Sequence, residues 1–272
     1  MPSTTEITSQ QLSRLIGLPA APAIIDTRTD EDYAKDPRLI PGSRRRDFRA
    51  VKTWASDHRD RSVIVACQRG LKLSQGVAAL LRHEGIDAQT LEGGFEAWSG
   101  AGQLLLRTEK LPARDEHHRT VWVTRARPKV DRIACPWLVK RFVDPGAVFL
   151  FVAPSEVLPV AERFNATPFD IDGVFWSHRG ETCTFDTMIE EFDLKTKPLL
   201  HLARIVRGAD TARPDLEPEA AGLLAASLGF SRMYKDDLAQ LEHAMALYDA
   251  LYRWCRDATE ETHNWPSARQ SG

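Results

Sequence analysis

Short apolar runs alternate with segments of helical periodicity in the first hundred residues. The runs Ala23–Asp26, Ser62–Ala66 and Ala88–Leu91 predict buried β-strands. After the second run, apolar side chains recur at helical spacing, at Leu73, Val77, Leu80 and Leu81. Gly85 supplies a C-terminal stop for this helix, and Ser9–Ile16 predicts a shorter helix. Repeated βα units of this kind predict a largely parallel sheet.

The second half begins with strands and then becomes helical. Apolar runs at Thr120–Arg125, Ala147–Val152 and Thr167–Ile171 predict strands, and the segment Pro128–Phe142 is predicted to become helical around Cys135. From residue 196 onward three apolar stripes predict packed helices, the last beginning near Asp236. The predicted fold class is therefore α/β, with an N-terminal parallel sheet flanked by helices and a C-terminal mixed α+β, mainly helical domain.

The periodic pattern lapses between the two halves. The chain there carries turn residues and a charged run that includes Gly100, Gly102, Pro112, His117 and His118. We interpret the paired histidines as solvated surface. We predict domains at residues 1–102 and 120–272, joined by a linker at residues 103–119. A chain of 272 residues is long enough for two such domains.

Composition and charge narrow the function classes. The net charge of −2 argues against a protein whose whole surface binds nucleic acid. No apolar run is long enough to span a membrane. The first six residues lack the basic flank and apolar core of a secretory signal, so we expect a cytoplasmic protein. The four cysteines, at positions 67, 135, 183 and 255, show no close pairing, so we expect reduced thiols.

Cys67 stands where a buried strand gives way to an amphipathic helix. The main-chain N–H groups of a tight turn and the N-terminus of a helix both favour a thiolate. This position therefore predicts a nucleophilic sulfur. The alternative is a buried cysteine at the end of a strand that acts as a small hydrophobic residue.

Four ordered motifs surround this cysteine: Ile24–Arg28, Leu39–Ser43, Cys67–Lys72 and Thr90–Trp98. Together they resemble a single rhodanese domain, the sulfurtransferase fold in which a loop cysteine carries a persulfide. The resemblance implies that Cys67 is the catalytic nucleophile and that the loop binds the substrate through Gln68, Arg69, Gly70, Leu71 and Lys72. It also implies a small anionic sulfur donor, a thiol acceptor and no cofactor for sulfur transfer.

The loop departs from the usual rhodanese pattern. Leu39 stands where the family usually has a His, and residues 71–73 replace the Asn-Arg-Ser of many members. Lys72 still presents a cation to an anionic donor, but as a point charge. The Cys-x5-Arg loop of cysteine-dependent phosphatases would need an arginine at position 73, where this chain has Leu73, so a phosphatase is excluded.

Three strings in the second half, Trp122–Trp137, His178–Asp186 and Ile205–Asp210, resemble the C-terminal domain of the chromate-resistance protein B family. The resemblance implies a role in chromate or oxidative stress. A basic stretch in this half predicts either a receptor for chromate or another small oxyanion, or a solvated helix face. Its members are Arg125, Arg127, Lys129, Arg132, Lys140 and Arg141.

His178, Glu181 and Cys183 offer ligand types that suit zinc or iron, and we predict a candidate metal site there. Other residues of a candidate second-domain site are Asp131, Arg132, Cys135 and Asp210. Further carboxylates nearby in the sequence are Asp170, Asp172 and Asp186. The alternative is structural, with Thr184 or Asp186 capping the following helix and His178 bonded within a loop.

The sequence thus predicts a sulfurtransferase that forms a persulfide at Cys67, coupled to a chromate or oxidative-stress resistance domain. One alternative is a non-enzymatic redox or oxyanion sensor that regulates chromate resistance, with the basic stretch binding DNA. No recognition-helix signature supports DNA binding. Another alternative is an interaction scaffold with an inactive rhodanese unit, which a persulfide mass shift on the purified protein would exclude.

Overall fold

The first of two sheets in the computed structural model, which describes residues 5–261, is five-stranded and all-parallel. Its order is β1-β5-β4-β2-β3, with β1 (Glu6–Ile7), β2 (Ala23–Asp26), β3 (Ser43–Arg45), β4 (Val63–Ala66) and β5 (Ala88–Leu91). The predicted parallel sheet is confirmed. The two edge strands, β1 and β3, are too short to show an apolar run in the sequence. The ends of the predicted domains, residues 1–4 and 262–272, lie outside the described residues.

Helices cover both faces of this sheet. They are α1 (Ser9–Leu15), α2 (Asp30–Lys35), α3 (Val51–Trp54), α4 (Lys72–His83) and α5 (Gly94–Gly100). Thr8 begins α1 with a capping box to Gln11, and Gly85 follows α4 with a φ of +79°. The alternation of buried side chains along β2 and β4 sends one set toward α3 and α4 and the other toward α1 and α5.

The second sheet is three-stranded and parallel, in the order β7-β6-β8, with β6 (Val121–Arg125), β7 (Val148–Val152) and β8 (Thr167–Pro168). The helices that surround it are α6 (Asp131–Leu138), α7 (Val157–Phe164), α8 (Thr184–Phe192), α9 (Lys197–Asp210), α10 (Glu219–Met233) and α11 (Asp237–Asp257). A π-helical turn, Val139–Val143, extends α6. The fold class predicted from the sequence is confirmed.

Two predicted elements have different bounds in the structure. The segment expected to become helical around Cys135 is helical already from Asp131, and the helix starts no earlier because Val130 has a φ of +37°. The weak strand expected over 167–171 pairs with β6 only at two residues before Phe169 turns to bridge Trp176.

The two halves share one core. Buried side chains of one continuous cluster run from Ile7 in β1 to Tyr252 in α11. Gly17, after α1, has no room for a side chain because Phe142 and Tyr252 pack against it. The predicted linker takes part, since Leu106 is fully buried and bridges to Leu39. Among the described residues, we find no helix with the length and apolar character needed to cross a bilayer.

Candidate functional site

Cys67 directly follows β4, at the carboxyl edge of the first sheet, and its side chain is buried. Its carbonyl accepts a 2.9 Å hydrogen bond from the N–H of Phe95, which anchors the loop to the start of α5. Its Sγ lies 3.2 Å from the hydroxyl Oγ of Ser74, the third residue of α4. The helix therefore places both its N-terminus and a hydroxyl beside the sulfur.

The loop after Cys67 leaves its main-chain donors open. Within residues 5–261, the N–H groups of residues 68–72 donate to no protein acceptor. Gly70 allows this arrangement, because its φ is +69° and an added Cβ would lie 2.6 Å from the carbonyl oxygen of Leu91. A run of free N–H groups in such a turn forms a concave site for an anion.

The predicted substrate-binding side chains around this loop differ in their positions. Gln68 donates to Glu96 at 3.1 Å, and Arg69 lies 3.6 Å from the same carboxylate. Leu71 is exposed, and Lys72 is exposed as the first residue of α4. Of these five residues, the two with flexible cationic side chains remain near solvent, where an incoming anion meets them first.

A pocket of about 450 Å³ lies at the same carboxyl edge, between the ends of β2 and β3. Four arginines line it: Arg28, Arg45, Arg46 and Arg49. Arg28 is neutralised by Asp26 at 2.7 Å and stacks over the ring of Phe95 at 3.6 Å. Arg45 pairs with Asp30 at 2.7 Å, and arginines outnumber carboxylates in the lining of the pocket.

A second polar centre lies at the carboxyl edge of the second sheet, where His178 faces three carboxylates. Its Nε2 lies 3.2 Å from Asp210, 3.3 Å from Asp170 and 3.6 Å from Asp131. Asp210 is the last residue of α9, Asp170 is the second residue after β8, and Asp131 is the first residue of α6. His178 remains partly exposed, so the centre opens to solvent on one side.

Hydrogen bonds hold the carboxylates of this centre in place. Asp131 accepts from the N–H groups of Thr184 and Phe185 at 2.7 and 3.0 Å. Asp170 binds the guanidinium groups of Arg125 at 3.1 Å and Arg132 at 3.2 Å. The positions of the oxygens are thus set by the surrounding main chain and arginines.

The electrostatics of this centre favour a cation at its middle. Hydrogen bonds to Asp131, Asp170 and Asp210 raise the pKa of His178 to about 12. Burial raises the pKa of Asp131 to about 6, and the hydrogen bond from His178 acts in the opposite direction. A proton on Nε2 therefore offsets the carboxylate charge when no metal is bound, and a metal ion bound to this nitrogen would replace that proton.

The remaining predicted residues of the second domain have other partners. Cys183 is the N-cap of α8, in a capping box with Asp186, and Cys135 donates to Asp131 at 3.2 Å. Burial, and next the charge of Asp131, raise the pKa of both thiols well above the usual range. Glu181 is exposed and is not among the groups around His178 in the described residues. The structure thus joins His178 with Asp131 and Asp210, and reaches Arg132 through Asp170.

Two residues of these sites escaped the sequence analysis. Ser74 contacts the sulfur, and its signal is its place in the first turn of a helix, where side chains point back toward the N-terminus. Asp170 was noted as nearby but was not assigned to the site. In the structure it follows β8 by two residues, at the carboxyl edge of the sheet, but the strand predicted over 167–171 contained it and so hid this position.

Two known protein families match separate parts of the chain, one around each of the two sheets. Residues 8–101 match the family model described as "Rhodanese-like domain", and residues 122–255 match the one described as "ChrB, C-terminal domain". The chain joins a rhodanese-like domain to a ChrB C-terminal domain. Cys67 lies in the rhodanese-like domain, and the His178 centre lies in the ChrB C-terminal domain.

Individual relatives cover parts of the chain. Protein ChrB of Cupriavidus metallidurans is 32% identical over 145 residues, which are 52% of this chain and 43% of that protein, so the match spans less than half of the relative. A solved rhodanese-like domain protein from Staphylococcus aureus is 29% identical over 35% of this chain and 90% of its own, with a TM-score of 0.31. A thiosulfate sulfurtransferase from Pseudomonas aeruginosa is 26% identical over 40% and 21%, with a TM-score of 0.35.

Proposed function

We propose that the protein is a rhodanese-type sulfurtransferase that carries sulfur as a persulfide on Cys67. The observation that supports this most directly is the run of free main-chain N–H groups at residues 68–72 around the buried sulfur. These donors match a thiolate and a persulfide anion, both of which need compensation when they are removed from water. The cationic pocket at the same edge suits an anionic donor such as thiosulfate.

The reaction proceeds by two displacements. The Cys67 thiolate attacks the outer sulfur of thiosulfate, a new S–S bond forms, and sulfite leaves with the electron pair of the broken S–S bond. An acceptor thiolate then attacks the terminal sulfur of the persulfide and restores the Cys67 thiolate. The loop donors hold negative charge in each state, so no cofactor is needed for this chemistry.

Intact-mass measurement after incubation with thiosulfate tests the proposal. We expect one added sulfur on the wild-type protein and none on Cys67→Ser, because oxygen replaces the polarizable sulfur with little change in volume. Cys255→Ser is the matched control, since it removes a partly buried thiol on α11 and should keep the added sulfur. A Cys67→Ser protein that still gains sulfur and turns over would contradict the mechanism.

The ChrB C-terminal domain leads us to propose that this sulfur chemistry serves chromate or oxidative-stress resistance in the cytoplasm. Chromate is a small dianion and an oxidant of thiols, and both properties suit a protein with cationic pockets and a reactive sulfur. Cells that produce the wild-type protein should tolerate more chromate than cells that produce Cys67→Ser at the same level. Equal tolerance of the two strains would separate the chromate role from sulfur transfer.

A second candidate function belongs to the His178 centre, which we propose binds a divalent cation. One imidazole nitrogen and carboxylate oxygens of Asp131 and Asp170 lie within 4.8 Å of one another, and Asp210 adds a fourth donor. Such a donor set fits zinc, iron or manganese. Elemental analysis should find about one metal ion per chain, with a large loss in His178→Ala but not in His117→Ala. Metal-free wild type after purification without chelator would contradict this proposal.

A further inference from the structure

A small pocket lies at the junction of the two domains, on the face of the first sheet that α3 and α4 cover. Its volume is about 140 Å³. Arg44 and Arg46 reach it from alternate positions of the edge region around β3, while His58 and Arg61 come from the segment after α3. Pro145 of the ChrB C-terminal domain contributes to the opposite wall. We call this space the junction pocket.

His58 is the most unusual group in the junction pocket. Its side chain is only 7% exposed, and neither ring nitrogen has a hydrogen-bond partner within the described residues. The ring packs edge-on against Trp54, which holds its orientation. Burying the two ring nitrogens without hydrogen-bond partners is unfavourable, and a ligand that bonds to them would offset this cost.

The arginines of the junction pocket are also incompletely paired. The buried Nε atoms of Arg44 and Arg46 have no acceptor within residues 5–261. Arg46 reaches a carboxylate only at 3.5 Å, on the half-exposed Asp57, and Arg61 donates to the main-chain carbonyl of Ala21. Arg44, Arg46 and Arg61 line the pocket, and Arg114 lies next to it through its ion pair with Asp144. The nearby carboxylates are Asp57 and Asp144, so the four arginines leave an excess of two positive charges.

The titration behaviour of these groups agrees with an excess of positive charge. Burial, followed by the charge of Arg44, lowers the pKa of Arg61. Burial lowers the pKa of His58 too. The charge of Asp57 acts against this, and the charges of Arg46, Arg61 and Arg44 add to the lowering. An anion among these groups would relieve their mutual repulsion.

We propose that the junction pocket binds a small tetrahedral oxyanion of the sulfate and chromate class, held by Arg44, Arg46, Arg61 and an N–H of His58. The volume of about 140 Å³ accommodates a five-atom dianion. Guanidinium groups match such oxygens in charge and geometry. The Cys67 loop contributes no wall to this pocket, although Arg46 also lines the pocket of four arginines beside β2 and β3.

The position of the pocket links this ligand to domain docking. Gly146 lies so close to the guanidinium of Arg44 that a Cβ at this position would overlap it. Arg44 in turn bonds to Asp144 at 2.6 Å. Because both domains build the walls, the bound oxyanion stabilises their docked arrangement.

Titration of the full chain with sodium sulfate, against sodium chloride at matched ionic strength, tests the proposal. We expect saturable binding of one sulfate in calorimetry, with ¹⁵N shifts of the His58 ring following the same curve. Arg61→Gln should weaken binding at least about tenfold, since it removes a charge-assisted contact. Arg59→Gln makes the same change two residues away, at an exposed position that does not line the pocket, and should leave binding within about twofold.

His58→Phe provides a second variant, which keeps the ring beside Trp54 and removes its donor. It should also weaken sulfate binding, whereas Cys67→Ser should bind sulfate like wild type. Three results would each overturn the proposal: no saturable binding of sulfate, chromate or phosphate; equal losses in Arg61→Gln and Arg59→Gln; or loss of binding in Cys67→Ser. The last result would place the anion at the catalytic loop, and it leaves the sulfurtransferase proposal intact.

Discussion

At the scale of single residues, the reactivity proposed for the Cys67 sulfur depends on the hydrogen-bond donors around it. Ser74 lies 3.2 Å from the sulfur and within hydrogen-bond distance of the Leu71 carbonyl, so its single proton can go to that carbonyl beside a Cys67 thiol and to the sulfur beside a thiolate. A hydroxyl in this position can donate to a thiolate, whose charge the free N–H groups of the loop share. Ser74 is therefore a positioning and charge-stabilising residue for the proposed chemistry.

We predict that Ser74→Ala slows persulfide formation about tenfold at saturating thiosulfate. A hydrogen bond to a charged group contributes about 1.5–3 kcal/mol, and each 1.36 kcal/mol corresponds to tenfold in rate. Stopped-time mass spectrometry of the Cys67 persulfide measures the rate. Ser56→Ala, at an exposed position before β4, is the control and should react like wild type. Equal rates for the two variants would show that the hydroxyl contributes nothing to the sulfur.

At the scale of elements, α8 illustrates how a helix start can resemble a ligand motif. Cys183 is its N-cap, the Asp186 carboxylate accepts from the N–H of Cys183 at 3.0 Å, and the thiol is fully buried. The first two N–H groups of the same helix bind Asp131, which belongs to the His178 centre. The cap of α8 thus supports the centre through the main chain.

We expect Cys183→Ser to keep the stability and the metal content of the wild type, because serine is a preferred N-cap. Cys183→Ala should lower the free energy of unfolding by about 1 kcal/mol, the usual cost of a lost cap. Denaturant unfolding and elemental analysis of both variants measure these effects. If Cys183→Ser loses its metal as completely as His178→Ala, the thiol is a ligand and the capping interpretation is wrong.

At the scale of the whole molecule, Asp144 connects the two domains. Its carboxylate is fully buried and accepts from Arg44 of the first sheet at 2.6 Å and from the N–H of Thr120 at 2.7 Å. Burial alone would raise its pKa, but Arg44 and Arg114 together with the hydrogen bond from Thr120 bring the pKa below its usual value. The folded protein therefore favours the ionised form of Asp144.

We predict that Asp144→Asn lowers the free energy of unfolding at pH 7 by about 3 kcal/mol, because it leaves Arg44 without its buried partner. The contribution of a carboxyl with a lowered pKa is present above its unfolded pKa of about 4 and is lost as the pH falls through the folded value. The difference between variant and wild type should therefore shrink in acid. Unfolding in denaturant at pH 7 and pH 3 measures it, with the exposed Asp60→Asn as control. A difference that stays constant with pH would contradict the role of the ionised carboxylate.

Much of the first domain followed from local pattern. The strands at residues 23–26 and 88–91 and the helix that ends before Gly85 have the predicted positions, because side-chain periodicity and a C-terminal glycine act over a few residues. The turn that holds Cys67 follows from the strand and helix on either side of it. The edge strands β1 and β3 did not follow, because each is too short to show a period.

The amino-acid sequence by itself determined the order of the βα units, the placement of Cys67 at a strand-to-helix turn, and the helical second half. Only the tertiary structure decided which carboxylates contact His178. It also decided that Arg46, His58 and Arg61 line one pocket together with Pro145. These groups lie far apart in the chain, and long-range packing of the shared core brings them together. Periodicity reports which face of an element is buried, but the partner of that face depends on the packing of the whole chain.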